Sequence, residues 1–260
     1  MTINEEKEIL KERTEDGIVI ATFEKERTNS IDLEVLKKLK EIVEKVNSDD
    51  SLKGLILTGS GKLFSSGFDL PMFLSLKDVK EVTDFISEED EILTELFMCK
   101  KPVVSAMNGS TIAAGLIFSM AADYRIVTNH PKIKINMSEI KLGLPLSIAQ
   151  SEIMRFGLES NKLFRDVMYF GKMFDVTKAL ELGIVDEIVE GDELIEKAKK
   201  IISLWIDNPG RAFIKLKDGI RKPIADRIRK RMAEENWQES LNCFFDKDVR
   251  ASLEFVQQMM

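Results

Sequence analysis

The chain has 260 residues, 44% of them hydrophobic and 32% charged, which supplies apolar material for a core and lies far from a disordered composition. That length fits one large domain, or one domain with a smaller appendage. A net charge of −7 disfavours bulk attraction to nucleic acid, and the two cysteines, Cys99 and Cys243, lie too far apart to form a pair motif.

The first predicted element is a strand over Gly17–Phe23, whose GIVIATF run is apolar and β-branched. Leu33, Leu36, Leu39, Ile42, Val43 and Val46 then recur at helical spacing, which predicts a helix from about Asp32 to Val46. Asn29, Ser30 and Asp32 each offer it a cap. A short apolar run, Lys53–Gly59, reads as a buried strand entering a glycine turn, so the opening has a βαβ character.

The pattern recurs with a strand at Pro102–Met107, a turn at Asn108-Gly109 and a tightly packed helix over Ala113–Ala121. Short strands are expected at Asp123–Val127 and Lys132–Asn136, and helices at Ile148–Phe156, Asn161–Phe170 and Val176–Leu182. Ile184–Val189 reads as another strand. From Asp192 onward nearly everything reads as helix, with breaks expected at Pro209-Gly210 and at Pro223. A soft boundary near residue 205 separates an α/β core (1–204) from a helical C-terminal region (205–260).

No stretch reaches transmembrane length without charge; the most apolar run, Ile112–Ala122, is too short to span a bilayer. The acidic opening lacks the apolar core of a leader, and the closing QQMM is no peroxisomal tripeptide. The expectation is therefore a cytoplasmic protein without membrane or nucleic-acid partners.

Several common chemistries lack their residues. The single histidine, His130, sits beside Pro131 with no triad signature around it, so a surface position is expected. One histidine and two distant cysteines do not make a zinc site, and no metal is expected. GSGKLFSSG fails the Walker pattern, because Ile56 stands where its first glycine belongs and Leu63 replaces the Ser/Thr. It also fails G-x-G-x-x-G, since Phe64 holds the last position.

Two glycine turns remain. Lys62–Leu70 (KLFSSGFDL) follows a buried strand, and its small residues let backbone approach a ligand. Asn108–Leu116 (NGSTIAAGL) sets small residues at the start of an apolar helix, where free N–H groups suit a developing negative charge. Either turn by itself reads equally well as the closure of a packed core.

Taken in order, FSSGFDL, KPVVSAMNGSTIAAG, Ala122-Asp123, SEIKLGLP and ALELGIVDEIV resemble the crotonase (enoyl-CoA hydratase/isomerase) superfamily from about residue 17 to 190. The resemblance implies a spiral core of ββα units and an acyl-CoA thioester whose carbonyl oxygen meets the backbone amides of Phe68 and Ala114. Such pre-aimed donors stabilise an enolate oxygen without reorganising, each worth about 3–4 kcal/mol. CoA then enters as part of the substrate, and no separate cofactor is expected.

Family hydratases use two glutamates. The first position carries Ile117 here, while the second carries Glu139. One carboxylate suffices to move a proton between two carbons, so the resemblance is nearest to monofunctional Δ3,Δ2-enoyl-CoA isomerases. A hydratase or other crotonase-type lyase or hydrolase, and a catalytically silent acyl-CoA binder, are the alternatives.

Lys62 falls where the family holds the CoA nucleotide, though a plain surface lysine reads as well. Ser66, Asp69, Leu70, Ile117 and Leu144 join Lys62 as binding candidates for the CoA ester. Leu70, Phe73 and Leu74 read as lining of an acyl tunnel, though a helix packed into the core predicts the same residues, and Leu144, Pro145 and Ile117 are further pocket candidates. Nine basic residues lie between Arg211 and Arg231, read either as help for CoA phosphates or as a solvated helix face. The family's C-terminal helices commonly pack between subunits, which implies a homotrimer or hexamer; packing within one chain would give the same apolar pattern.

Overall fold

Apolar, β-branched runs build the centre of the molecule. The computed structural model describes residues 9–25 and 27–259; the acidic opening read for leader signals (1–8) and the last residue of the C-terminal tripeptide lie outside that range. In chain order, β1 (Leu10–Glu15) and β2 (Ile18–Phe23) lead through α1 (Leu33–Ser48) to β3 (Gly54–Gly59). Next come β4 (Leu63–Ser65), α2 (Leu70–Ser75), α3 (Val79–Phe97), β5 (Val103–Met107), β6 (Ser110–Ile112) and α4 (Ala114–Met120). β7 (Tyr124–Thr128), β8 (Ile135–Asn136), α5 (Glu139–Leu142), α6 (Ile148–Gly157) and α7 (Asn161–Phe170) follow. β9 (Met173–Phe174), α8 (Val176–Glu181) and β10 (Glu187–Val189) complete the α/β part. The chain closes with α9 (Leu194–Ile206), α10 (Ala212–Glu234), a 3-10 stretch (Trp237–Phe245) and α11 (Lys247–Met259).

The large sheet has the order β1-β2-β3-β5-β7-β10 and is parallel except for the β1–β2 pair. A small sheet, β4-β6-β8-β9, runs beside it with only β8–β9 antiparallel. Three times a strand of the large sheet is followed by a short strand of the small sheet and then a helix: β3-β4-α2, β5-β6-α4 and β7-β8-α5. This is a spiral of ββα units with a helical C-terminal region, the architecture expected from sequence.

Alternation along the strands decides which layer each residue joins. Ile18, Ile20, Ile56, Val104 and Ile126 pack with Ala198, Ile201 and Ile202 of α9. Val19, Ala21, Leu55, Leu57 and Val103 join the opposite layer with residues of α1 and α3. Covered on both faces, these strands read as unbroken apolar runs. Asp32 caps α1 by accepting from the Val35 N–H at 3.0 Å.

Several elements differ from expectation. β1 escaped the sequence pattern because it is an edge strand: only Leu10 is buried, and Lys11, Glu12 and Arg13 face outward or sideways. α3 escaped because the run EEDE disguises its core face, on which Glu89 and Asp90 are buried beside Ile92 and Leu93. The strand expected at Lys132–Asn136 shrinks to Ile135–Asn136, and that at Ile184–Val189 to Glu187–Val189. α9 runs across the 204/205 junction and ends at Ile206.

The break at Pro209-Gly210 is present, with Gly210 at φ 67°, but the one expected at Pro223 is not. α10 continues through the proline because it is anchored on both sides. Before it, the buried Lys217 reaches Asp123 at 2.6 Å, and Arg221 reaches Asp123 at 2.9 Å and the Phe97 and Ala121 carbonyls. Beyond it, Arg227 and Arg231 pair with Glu152 at 2.6 and 2.7 Å. The basic run is therefore not a uniformly solvated face; Lys217 and Arg221 tie the C-terminal region to the core. Among the described residues, no helix is long and apolar enough to cross a membrane.

Candidate active site

The first glycine turn leaves β4 and passes through Gly67, whose φ of 97° suits glycine. Ile31 and Phe68 form an isolated parallel bridge: the Ile31 N–H donates to the Gly67 carbonyl at 2.9 Å, and the Asp69 N–H donates to the Ile31 carbonyl at 3.0 Å. The alternation of a parallel ladder turns the intervening Phe68 N–H away from this bridge. Among the described residues it finds no backbone acceptor. Asp69 caps α2 through the Met72 N–H at 2.9 Å and is held by Lys25 at 3.0 Å and Ser30 at 2.8 Å. Burial would raise its carboxyl, but these donors bring it below the ordinary carboxylate value. Asp69 is thus a bracket beneath Phe68, outside the cavity lining.

The second turn bends at Ala113, which has φ 56° and ψ −127°, a backbone conformation that L-residues rarely adopt. Its N–H is held by the Asn136 carbonyl at 3.0 Å, and its own carbonyl accepts from Leu116 and Ile117. The next amide, that of Ala114, has no backbone acceptor among the described residues. The two turns touch: a Cβ on Gly67 would lie 2.8 Å from the Ala113 Cβ and 3.1 Å from the Ala114 nitrogen. One on Gly115 would lie 2.8 Å from the Ser65 Cβ and oxygen. Close backbone approach at both places explains the small residues in both motifs.

Glu139 opens α5 just after β8, the strand that pairs with β6. Its Oε2 is shielded from solvent and has no hydrogen-bond partner. Burial pushes the carboxyl up to about 7, against the opposing pull of the Glu139 and Ser138 backbone N–H groups. A carboxyl held at such a value can exchange a proton near neutrality.

These groups meet at an apolar cavity of about 220 Å³. Ser66, Phe68, Ala113, Ser138 and Glu139 line one part of it, with Leu70, Phe73, Leu144 and Pro145 beside them. Ala114, the next residue in the chain, is buried and is not itself among the lining residues. Besides Asp69, two expected lining residues lie elsewhere. Ile117 faces inward from α4 into the hydrophobic core, and Leu74 gives its carbonyl to Arg250 at 2.8 Å. Lys62 is exposed and borders a separate surface groove with Asn108, His130 and Lys132.

The remaining wall was not read from sequence as part of the site: Ile86 of α3, Ser147 and Gln150 at the head of α6, Leu241 and Phe244 of the 3-10 stretch, and Leu253 and Val256 of α11. Phe73 stacks on Phe244 with centroids 5.4 Å apart, which fastens the C-terminal region over the cavity. Their apolar spacing was visible, but it fits intersubunit and intrachain burial alike.

A ββα spiral whose own C-terminal helices close an apolar cavity defines a crotonase-type fold. The chain belongs to the enoyl-CoA hydratase/isomerase family, whose sequence model matches residues 13–256. It is 26% identical over 253 residues to mitochondrial enoyl-CoA delta isomerase 1 of Rattus norvegicus, covering 92% of this chain and 86% of the relative. It is 27% identical over 205 residues to the probable enoyl-CoA hydratase echA17 of Mycobacterium avium, covering 78% of each. Among solved structures, the human mitochondrial delta3-delta2-enoyl-CoA isomerase superposes with a TM-score of 0.88 at 24% identity, covering 96% of this chain and 97% of that one. Enoyl-CoA hydratase from Bacillus halodurans gives 0.83 at 21% identity, covering 95% and 99%. At these identities the superpositions bear on the fold.

Proposed function

We propose that the protein isomerises 3-enoyl-CoA thioesters to the conjugated 2-enoyl-CoA, with Glu139 as the proton shuttle. In this reading the thioester carbonyl lies between the Phe68 and Ala114 N–H groups. Glu139 takes a proton from C2, the resulting dienolate oxygen is held by the two amides, and the same carboxyl returns the proton at C4. Atoms and charge balance without a cofactor, CoA being carried on the substrate. The two donors need no reorganisation as charge develops, because the bridge at Ile31 and the bend at Ala113 already fix them.

The observation that carries the reading is that Glu139 is the one carboxylate residue lining the cavity among the described residues, with an unpartnered, shielded oxygen, while Ile117 occupies the other glutamate position of hydratases and is packed into the core. Hydration needs a water placed and activated between two groups; a one-carboxylate site supports a 1,3-proton shift instead. Isomerase names among the relatives support the same choice.

The test is to supply 3-enoyl-CoA and 2-enoyl-CoA separately and identify the products. Conjugation of the first without formation of 3-hydroxyacyl-CoA from the second is expected. Hydration of the second would favour the hydratase reading, and CoA-ester binding without turnover of either would favour a silent binder.

A further inference from the structure

One buried polar cluster takes no part in the proton transfer. Glu89 and Asp90, adjacent on α3, are both 0% exposed. Ser147 Oγ donates to Asp90, and Gln150 Nε2 donates to Glu89 Oε2 at 3.0 Å. The Ser147 N–H donates to Gln150 Oε1 at 3.1 Å, which fixes the orientation of the amide. Glu89 Oε1 and Asp90 Oδ2 have no other partner, and one proton shared between the two carboxyls satisfies both. Burial, and then the Asp90 charge, hold Glu89 well above the ordinary range; burial pushes Asp90 up to about 6.

Burying such a pair costs free energy that two leucines would avoid, so stability does not account for it. The pair holds the head of α6 through Ser147, and together with the Ser147–Gln150 capping box it locks the Gln150 amide. With Oε1 and one Nε2 proton engaged, the amide keeps a second proton, and Gln150 lines the cavity while only 4% exposed. Apart from Ser147, whose hydroxyl proton is already given to Asp90, the helical wall around Gln150 is apolar, and a fixed donor there is favourable only when a ligand brings an acceptor.

We infer that Gln150, locked by the Glu89–Asp90 pair, forms a polar subsite in the helical wall of the cavity that accepts an oxygen substituent, hydroxyl or keto, on the acyl chain. The subsite rests on reading the cavity as the acyl site. Substrates of this protein are then oxygen-bearing 3-enoyl thioesters rather than plain hydrocarbon ones.

The test compares 3-enoyl-CoA esters of equal length, one plain and the others hydroxylated at successive carbons beyond C4. For the wild type, kcat/KM is expected to favour one hydroxyl position by about tenfold or more. In Gln150→Leu that ratio collapses, whatever the absolute rates; Gln150→Met serves if the first variant does not fold. No preference at any position in the wild type, or a preference that survives both variants, overturns the subsite. Competition binding of the same esters separates the two readings. Hydroxyl-selective binding without turnover sustains the subsite and overturns isomerisation, whereas turnover of the plain ester without hydroxyl preference overturns the subsite alone.

Discussion

Glu139 carries two opposite demands in one side chain. Its folded carboxyl sits at about 7 instead of 4.5, so the proposed base is half-ionised near neutrality. As only the ionised form removes a proton, kcat/KM should rise about tenfold per pH unit below 7 and level above it, as read from a pH–rate profile. The same shift has a stability sign. A raised folded value means that the folded state holds the proton more tightly than the unfolded chain. The contribution is fully present below pH 4.5 and lost as pH rises through 7. Glu139→Gln removes the burden of a buried charge and should stabilise the fold by about 3 kcal/mol at pH 8, with no difference at pH 4. Urea titrations of both proteins at the two pH values check this.

At the scale of elements, α10 is held by a buried charge cluster. Asp123 accepts from the Val103 N–H at 2.8 Å and pairs with Lys217 and Arg221, whose own basicities burial lowers. Asp123→Ala strands two cations in the core and should cost on the order of 3–5 kcal/mol by urea denaturation, most of it recovered when Lys217 and Arg221 are replaced by Met as well. Elements like this also show what the sequence made legible. Strands buried on both faces and the amphipathic α1 carry their period openly. The two glycine turns were recognisable as motifs, and Glu139 is proposed as the base through the family resemblance they share with the SEIKLGLP segment. β1 and α3 were not legible, because an edge strand has little to bury and because Glu89 and Asp90 imitate a solvated face. The continuity of α10 through Pro223 depends on partners far away in sequence, which no local pattern reports.

For the whole molecule, the C-terminal region lines the cavity through Leu241, Phe244, Leu253 and Val256, so one wall of the candidate site comes from the end of the same chain. Apolar side chains nevertheless remain exposed, Tyr169, Phe170, Met173, Leu204, Leu216 and Ile220 among them. Burial of these residues between copies is the expected outcome, giving a homotrimer or hexamer by sedimentation velocity. A monomer at micromolar concentration would contradict that assembly.

All of the proposed chemistry passes through one carboxyl. The most direct measurement is the turnover number for conjugation of a 3-enoyl-CoA by Glu139→Gln beside the wild type, at pH 8, with both proteins shown to be folded. The account predicts a loss of between about 10² and 10⁴ for the variant. Equal turnover by the two proteins would contradict it.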